Sequence, residues 1–304
     1  MARMTTRRKL AIATWSPPRE GNIYGKLTVD ATQALAYLEF LRERSGEKVT
    51  ITHLVGKAVA EAMKRAPSLN GRIVFGRYVP YDTVDISYLV VLEEGANLAK
   101  AKICDADRKS VADIARELRE LAERLRKGKD ADFEKSKGLI RLLPTWLLRW
   151  MIAGIGFLAT GLGLEIRALG VERFPFGSCI ITSVGMFGLE EGFVPPTPFA
   201  RVPVYVLIGS ITERPVVVAG KIVVQPRLTL TATIDHRFID GFQGGILAKV
   251  VREVLENPWR LEGMEGPPRA VPDINGGKCS GQPAEERGDT PRSVRGEPAG
   301  GRGS

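Results

Sequence analysis

Apolar and polar side chains alternate, then recur at helical spacing, then alternate again along this chain. Near the start, Ile23, Gly25, Leu27 and Val29 alternate with Tyr24, Lys26, Thr28 and Asp30, which predicts a half-buried strand. Leu35, Leu38 and Leu41 then recur at helical spacing and predict a helix over residues 31–44. A second helix is expected over 50–65, with Leu54, Ala58, Ala62 and Met63 turned inward and Pro67 as its stop. The run from Val84 to Leu92 is short, apolar and β-branched, as a buried strand requires. The clearest helix covers 110–127, where Val111, Ile114, Leu118, Leu121 and Leu125 make one stripe and Ser110 with Asp113 forms a capping box.

The pattern breaks over 139–172. From Trp150 to Leu164 fifteen consecutive residues carry no charge, and from Leu142 onward Arg149 is the single exception. Gly154, Gly156, Gly161 and Gly163 argue against one long spanning helix. The expectation is a hydrophobic insert: a helical hairpin packed on the body or in a subunit interface, or else an element that meets a membrane surface or an acyl chain. Beyond it the chain turns strongly β. SCIITSV, PVYVLIGSI, PVVV and KIVVQ read as short strands between Gly and Pro turns. LTLTATID places Leu228, Leu230, Ala232 and Ile234 on one face and Thr229, Thr231, Thr233 and Asp235 on the other. A last helix over 241–255 carries Ile246, Leu247, Val250, Val251 and Val254. Helices interleaved irregularly with many strands point to an α/β sandwich around a mixed sheet.

Composition narrows the function classes. The chain has 304 residues, 44% hydrophobic and 26% charged, the make-up of a globular protein. Residues 266–304 hold 15 Gly plus Pro and almost no large apolar side chains, so the segment 263–304 reads as a disordered tail and 1–22 as a basic arm. The formal charge is +9, of which Arg3, Arg7, Arg8 and Lys9 supply four and the tail one. An excess spread this widely suits an anionic small ligand or a membrane surface better than nucleic acid, whose readers gather charge on one face. Cys104, Cys179 and Cys279 are far apart and show no metal-ligand spacing, which argues against a disulfide framework and a zinc site. With no signal peptide visible, a cytoplasmic location is expected, with membrane association through 139–172 as the alternative.

Two histidines, His53 and His236, are the candidates for a neutral base. His53 falls in the first turn of a helix, where a packed or capping role suffices. His236 lies where a Thr-faced strand gives way to a helix, in DHRFIDG, four residues before Asp240 and five before Gly241. Asp240 is also a good helix N-cap, and Gln243 completes a capping box with it.

The block LTLTATIDHRFIDGFQGGILAKVVREVLENP resembles the terminal signature of the dihydrolipoamide acyltransferases of 2-oxoacid dehydrogenase complexes, which share a fold family with chloramphenicol acetyltransferase. ITHLVGKAVAEAMKRAPSLNG, KSVADIARELRELAERLRKGK and CIITSVGMFGLEEGFVPP resemble further family segments in the same order. The resemblance implies a two-layer α/β sandwich over 23–262, interrupted by the insert. It also implies His236 as general base toward a thiol of coenzyme A or dihydrolipoamide. By the same resemblance Thr182 donates to the oxyanion where the family usually has serine, with Ser183 as the alternative. Asp240 would be the family's buried aspartate, paired with Arg7, Arg8 or Arg237. The resemblance further implies coenzyme A or acyl-CoA as substrate, no metal, and a homotrimer with active sites between subunits. Because only a short basic arm precedes the match, the acyl donor is expected on another polypeptide, a separate lipoyl carrier, or as free acyl-CoA, unless the protein has left the oxoacid pathway. The rival reading is a non-catalytic assembly or membrane-docking subunit that keeps the fold.

Overall fold

The computed structural model describes residues 21–92, 97–126, 143–167 and 170–268. Nearly all of the basic arm and the tail beyond residue 268 therefore lie outside the described residues, with Arg7, Arg8 and Cys279 among them. The alternating first segment forms β1 (Asn22–Asp30), which pairs antiparallel with β8 (Lys221–Asp235), so that Leu27 faces Leu230 and Thr28 faces Thr229. β8 pairs antiparallel with β7 (Val204–Val218), and β7 pairs parallel with β6 (Cys179–Ser183). β6 runs parallel to β4 (Ile86–Leu92), which pairs antiparallel with β5 (Asn97–Ile103). The sheet is mixed and six-stranded, in the order β1, β8, β7, β6, β4, β5.

The two-residue period decides which side of this sheet is dry. Leu228, Leu230 and Ile234 of β8 enter the main core beside Val204, Val206 and Ile208 of β7 and Cys179 and Ile181 of β6. The opposing wall comes from α1 (Thr32–Ser45), α2 (Ile51–Arg65), α3 (Val111–Arg126) and, after α4 (Thr145–Gly156), α5 (Gly241–Glu256). The expected two-layer sandwich is thus present. In α3 the stripe buries Val111, Ile114 and Leu118, and the Ser110 hydroxyl both accepts from the Asp113 N–H at 3.1 Å and donates to its carboxylate at 2.6 Å. A cap of this kind contributes about 1 kcal/mol.

Three expectations need correction. The four segments PVYVLIGSI, PVVV, KIVVQ and LTLTATID are two strands of 15 residues each, β7 and β8, joined through Ala219 and Gly220. Pro215 and Pro226 do not end them, because among the described residues 213–226 form strand pairs only with each other, the Pro226 carbonyl also accepting the Ala31 N–H, and a missing N–H there faces no third strand. The sequence reading also passes over β5 and over the small hairpin of β2 (Gly71–Val74) and β3 (Arg77–Pro80). In β5 the signal is weak because Ala99, Lys100, Ala101 and Lys102 have no β preference; Ala101 and Ile103 reach the core all the same. Finally, the insert shows one helix, α4, continuing into a single π-helical turn at Phe157–Gly161, and no hairpin among the described residues. Leu148 on its inner side is fully buried, with Met151 and Ile152 packed against it, while Trp146 and Trp150 face outward. No described helix is long and apolar enough to cross a membrane.

His53 is the cap its position in α2 foretold. Its Nδ1 accepts the Thr50 N–H at 3.0 Å, and burial pushes its pKa from the ordinary 6.5 down to about 4. Because the folded value lies below the unfolded one, His53 leaves stability intact above pH 6.5 and erodes it as pH falls toward 4. Urea denaturation is expected to show a loss of about 2 kcal/mol between pH 7.5 and 5 that is absent in His53→Gln, which retains an acceptor for the cap. Equal pH dependence in the two proteins would contradict the assignment.

Candidate active site

The turn that follows β8 is built so that two polar side chains stay outside. Phe238 and Ile239 are buried in the main core and anchor the turn, whereas His236 and Asp240 are exposed. The Asp235 carboxylate closes the turn by accepting the Arg237 backbone N–H at 3.0 Å and its Nε–H at 2.9 Å. His236 donates its backbone N–H to the Gly21 carbonyl at 3.2 Å, which ties the turn to the start of β1.

The imidazole is oriented by its own turn. His236 Nδ1 lies 2.8 Å from the Ile239 carbonyl oxygen. A carbonyl only accepts, so Nδ1 carries the proton and Nε2 keeps its lone pair. The exposed side chain thus presents a basic nitrogen to whatever occupies the space beyond it. No sequence signal could have found Ile239 in this role, since any residue supplies a carbonyl.

Asp240 departs from expectation. It is exposed, not buried, and it caps α5, accepting the N–H groups of Phe242 at 2.9 Å and Gln243 at 3.2 Å while Gln243 Oε1 accepts the Asp240 N–H at 2.9 Å. The capping box therefore stands, and Arg237 is engaged with Asp235. Both N–H groups reach Oδ1 of the carboxylate, and of the arginines expected to pair with Asp240, Arg7 and Arg8 lie outside the described residues. Among the described residues, a Cβ at Gly241 would meet nothing within 4 Å.

Thr182 and Ser183 close β6 and face opposite ways. Ile181 belongs to the main core and Ile180 to a second cluster with Tyr205, Ala200 and Val202 on the other side of the sheet. Thr182 therefore shares the side away from the helices with Ile180, and Ser183 shares the helix side with Cys179 and Ile181. Both are half-buried, and among the described residues neither hydroxyl has a hydrogen-bond partner. The loop after β6 passes close beneath the β7 bulge, where Ser210 N–H donates to the Leu189 carbonyl and only a glycine at 209 avoids the Glu190 carbonyl.

One chain does not bring these groups together. Thr182 is level with Leu207 and so with Thr231, which precedes His236 by five residues. At about 3.3 Å per residue and about 4.8 Å per strand, the two lie roughly 17 Å apart along the strands and 10 Å across them. Each is bordered by exposed apolar side chains: Met186, Phe187 and Leu189 follow Thr182, and Phe242, 78% exposed, follows His236.

This architecture is that of solved acyltransferase cores. It superposes on a probable dihydrolipoamide acetyltransferase from Listeria monocytogenes with a TM-score of 0.58 at 24% identity, over 78% of this chain and 85% of that one. The cubic core of the pyruvate dehydrogenase multienzyme complex gives a TM-score of 0.59 at 19% identity, over 84% and 87% of the two chains. The family model of the 2-oxoacid dehydrogenases acyltransferase catalytic domain matches residues 16–140 and 165–262. The chain belongs to that family. Among curated relatives, the dihydrolipoyllysine-residue succinyltransferase component of the 2-oxoglutarate dehydrogenase complex of Haemophilus influenzae is 29% identical over 231 residues, covering 73% of this chain and 46% of the relative. Its counterpart in Escherichia coli strain K12 is 28% identical over 227 residues, covering 74% and 45%. The chain thus spans about half the length of these relatives. Residues 141–164, which hold α4, fall outside the family match.

Proposed function

We propose that this chain is a coenzyme A-dependent acyltransferase that exchanges an acyl group between coenzyme A and dihydrolipoamide or another acceptor. His236 Nε2 takes the thiol proton, and the thiolate attacks the thioester carbonyl carbon. The tetrahedral oxyanion accepts a hydrogen bond from the Thr182 hydroxyl. Collapse expels the second thiolate, which recovers the proton from His236, so no covalent acyl-enzyme forms and the base is regenerated. The observation that carries this reading is the His236 ring itself, exposed, with Nδ1 fixed on Ile239 and Nε2 left basic.

The separation of His236 from Thr182 supports a site shared between copies, each chain giving its histidine to one neighbour and its hydroxyl to another. A homotrimer closes such a head-to-tail arrangement with three identical sites. The acyl donor then arrives as acyl-CoA or on a lipoyl carrier. The test is turnover of acyl-CoA with dihydrolipoamide by the full chain and by His236→Ala. No transfer by the unaltered chain, or equal transfer by both, overturns the reading.

A second reading, docking to a lipid surface, is favoured by α4. Trp146 and Trp150, the latter 72% exposed, stand one turn apart on its outer side with Arg149 between them, a pairing of aromatic and basic groups suited to a bilayer interface. Flotation with anionic vesicles is expected to carry the full chain upward and to leave a Trp146→Ser, Trp150→Ser variant behind. If both remain at the bottom, this reading is lost.

A further inference from the structure

The small hairpin of β2 and β3 stands outside the six-stranded sheet, yet one of its side chains reaches the turn that carries His236. Tyr78 of β3 pairs with Ile73 of β2, and its ring leans diagonally across the pair onto Gly71, two residues from Ile73 on the same face. Gly71 makes room for it: a Cβ there would lie 2.6 Å from the ring, closer than any real contact. The phenol hydroxyl donates to the Pro67 carbonyl at 2.6 Å, and the Asn70 carbonyl, at 3.2 Å, shares the proton. Pro67 opens the short 3₁₀ turn that ends at Leu69, just beyond α2, and Leu69 is fully buried. The ring is thus fixed on one side by the bare backbone of Gly71 and at its tip by a hydroxyl bonded to a turn rooted in the core.

Held this way, the ring meets Phe238. Their centroids lie 6.2 Å apart with the planes at 81°, the edge-to-face arrangement that aromatic pairs prefer. Phe238 stands directly before Ile239, whose carbonyl receives the His236 Nδ1–H at 2.8 Å, and its own N–H donates to the Asp235 carbonyl at 3.1 Å. A Phe238 ring that shifts therefore carries the backbone of Ile239 with it, and that backbone supplies the acceptor that orients the imidazole. Tyr78 is 43% exposed and Phe238 9%, so the contact lies at the margin of the core, where the turn emerges toward the exposed His236.

We propose that Tyr78 is a positioning residue for His236: through Phe238 it holds the Ile239 carbonyl where it keeps the proton on Nδ1 and the lone pair on Nε2. The proposal rests on the reaction assigned to His236 and adds to it a residue that acts through another side chain. The positioning role belongs to the ring, whereas the hydroxyl ties the hairpin to Pro67, so substitution separates the two.

The experiment is steady-state acyl transfer by the full chain and its variants, beside the nitrogen resonances of the histidine rings in mildly alkaline buffer. The chain has two histidines, and they hold opposite tautomers: His53 Nδ1 accepts the Thr50 N–H whereas His236 Nδ1 donates, so each ring has its own signature. Tyr78→Leu is expected to lower kcat about tenfold with KM little changed. It should also replace the Nδ1–H signature of His236 by an average of both tautomers, while His53 stays as it was. Tyr78→Phe keeps the ring and is expected to retain kcat within about twofold, with the His236 signature intact. A Tyr78→Leu chain with wild-type kcat and an unchanged His236 signature overturns the proposal, as does an equal fall in Tyr78→Phe. Should Tyr78→Leu fail to fold, Gly71→Ala displaces the ring without removing it and carries the same expectation; no change in that variant refutes the role. If the unaltered chain transfers no acyl group, the reaction is lost, and the tautomer comparison alone decides whether Tyr78 holds the imidazole.

Discussion

His236→Ala is expected to lower the rate of acyl transfer by about 100- to 10,000-fold, the usual worth of a positioned acid-base group. The loss falls on kcat, because the imidazole acts as the thiol proton moves and not while the substrates merely dock. Stability should change by less than about 0.5 kcal/mol, since the side chain is exposed and its bond among the described residues is to a carbonyl that water can satisfy. Steady-state kinetics with saturating acyl-CoA, beside a urea melt of each protein, separates loss of the base from loss of the fold. A variant that turns over at the wild-type rate leaves His236 without a catalytic role.

Thr182→Val is the next largest, with an expected fall of about 100- to 1,000-fold in kcat and little change in KM. Valine keeps the branched shape at the end of β6 and removes only the donor, so the fall measures the hydrogen bond to the developing oxyanion. Thr182→Ser restores the donor and should retain most of the rate. Ser183→Ala, on the helix side of the strand, should matter far less; the reverse ranking would move the role to Ser183. The same two chains test whether the site is shared. His236→Ala and Thr182→Val, each inactive alone, should regain about a quarter of the wild-type rate when co-expressed, because random cyclic pairing joins an intact histidine to an intact hydroxyl in about one site of four. A site confined to one chain would regain nothing.

The helices were legible because their signals are local. The Ser110 and Asp113 pair, the α3 stripe and the Thr faces of β8 all fall where periodicity places them. β5 and the β2/β3 hairpin were not, because their pairing depends on partners elsewhere in the sheet or on a turn at Phe75 and Gly76, both with positive φ, which only the glycine announces. The same distinction divides the site. Histidine, threonine and aspartate can be read as letters, and the strand alternation that separates Thr182 from Ser183 can be read as well. The Ile239 carbonyl that fixes the imidazole cannot, nor can the distance between strands that keeps His236 and Thr182 apart. Asp240 is legible at the local level, since the capping box it forms with Gln243 follows from the spacing of the two residues.

The outer half of the β7 and β8 ribbon has a bearing on how this molecule comes into being. Val217, Val218, Ile222 and Val224 stand in water there, on a pair of strands that no third strand borders among the described residues. Ribbons of two strands are marginal alone, and apolar ones with bare margins recruit neighbours without discrimination. Under the proposed assembly, the solitary protomer is a short-lived species whose maturation is second-order or higher in chain, so dilution slows its maturation and crowding of nascent copies invites mispairing. Natural selection on this segment would then act on the kinetics of meeting as much as on the finished enzyme.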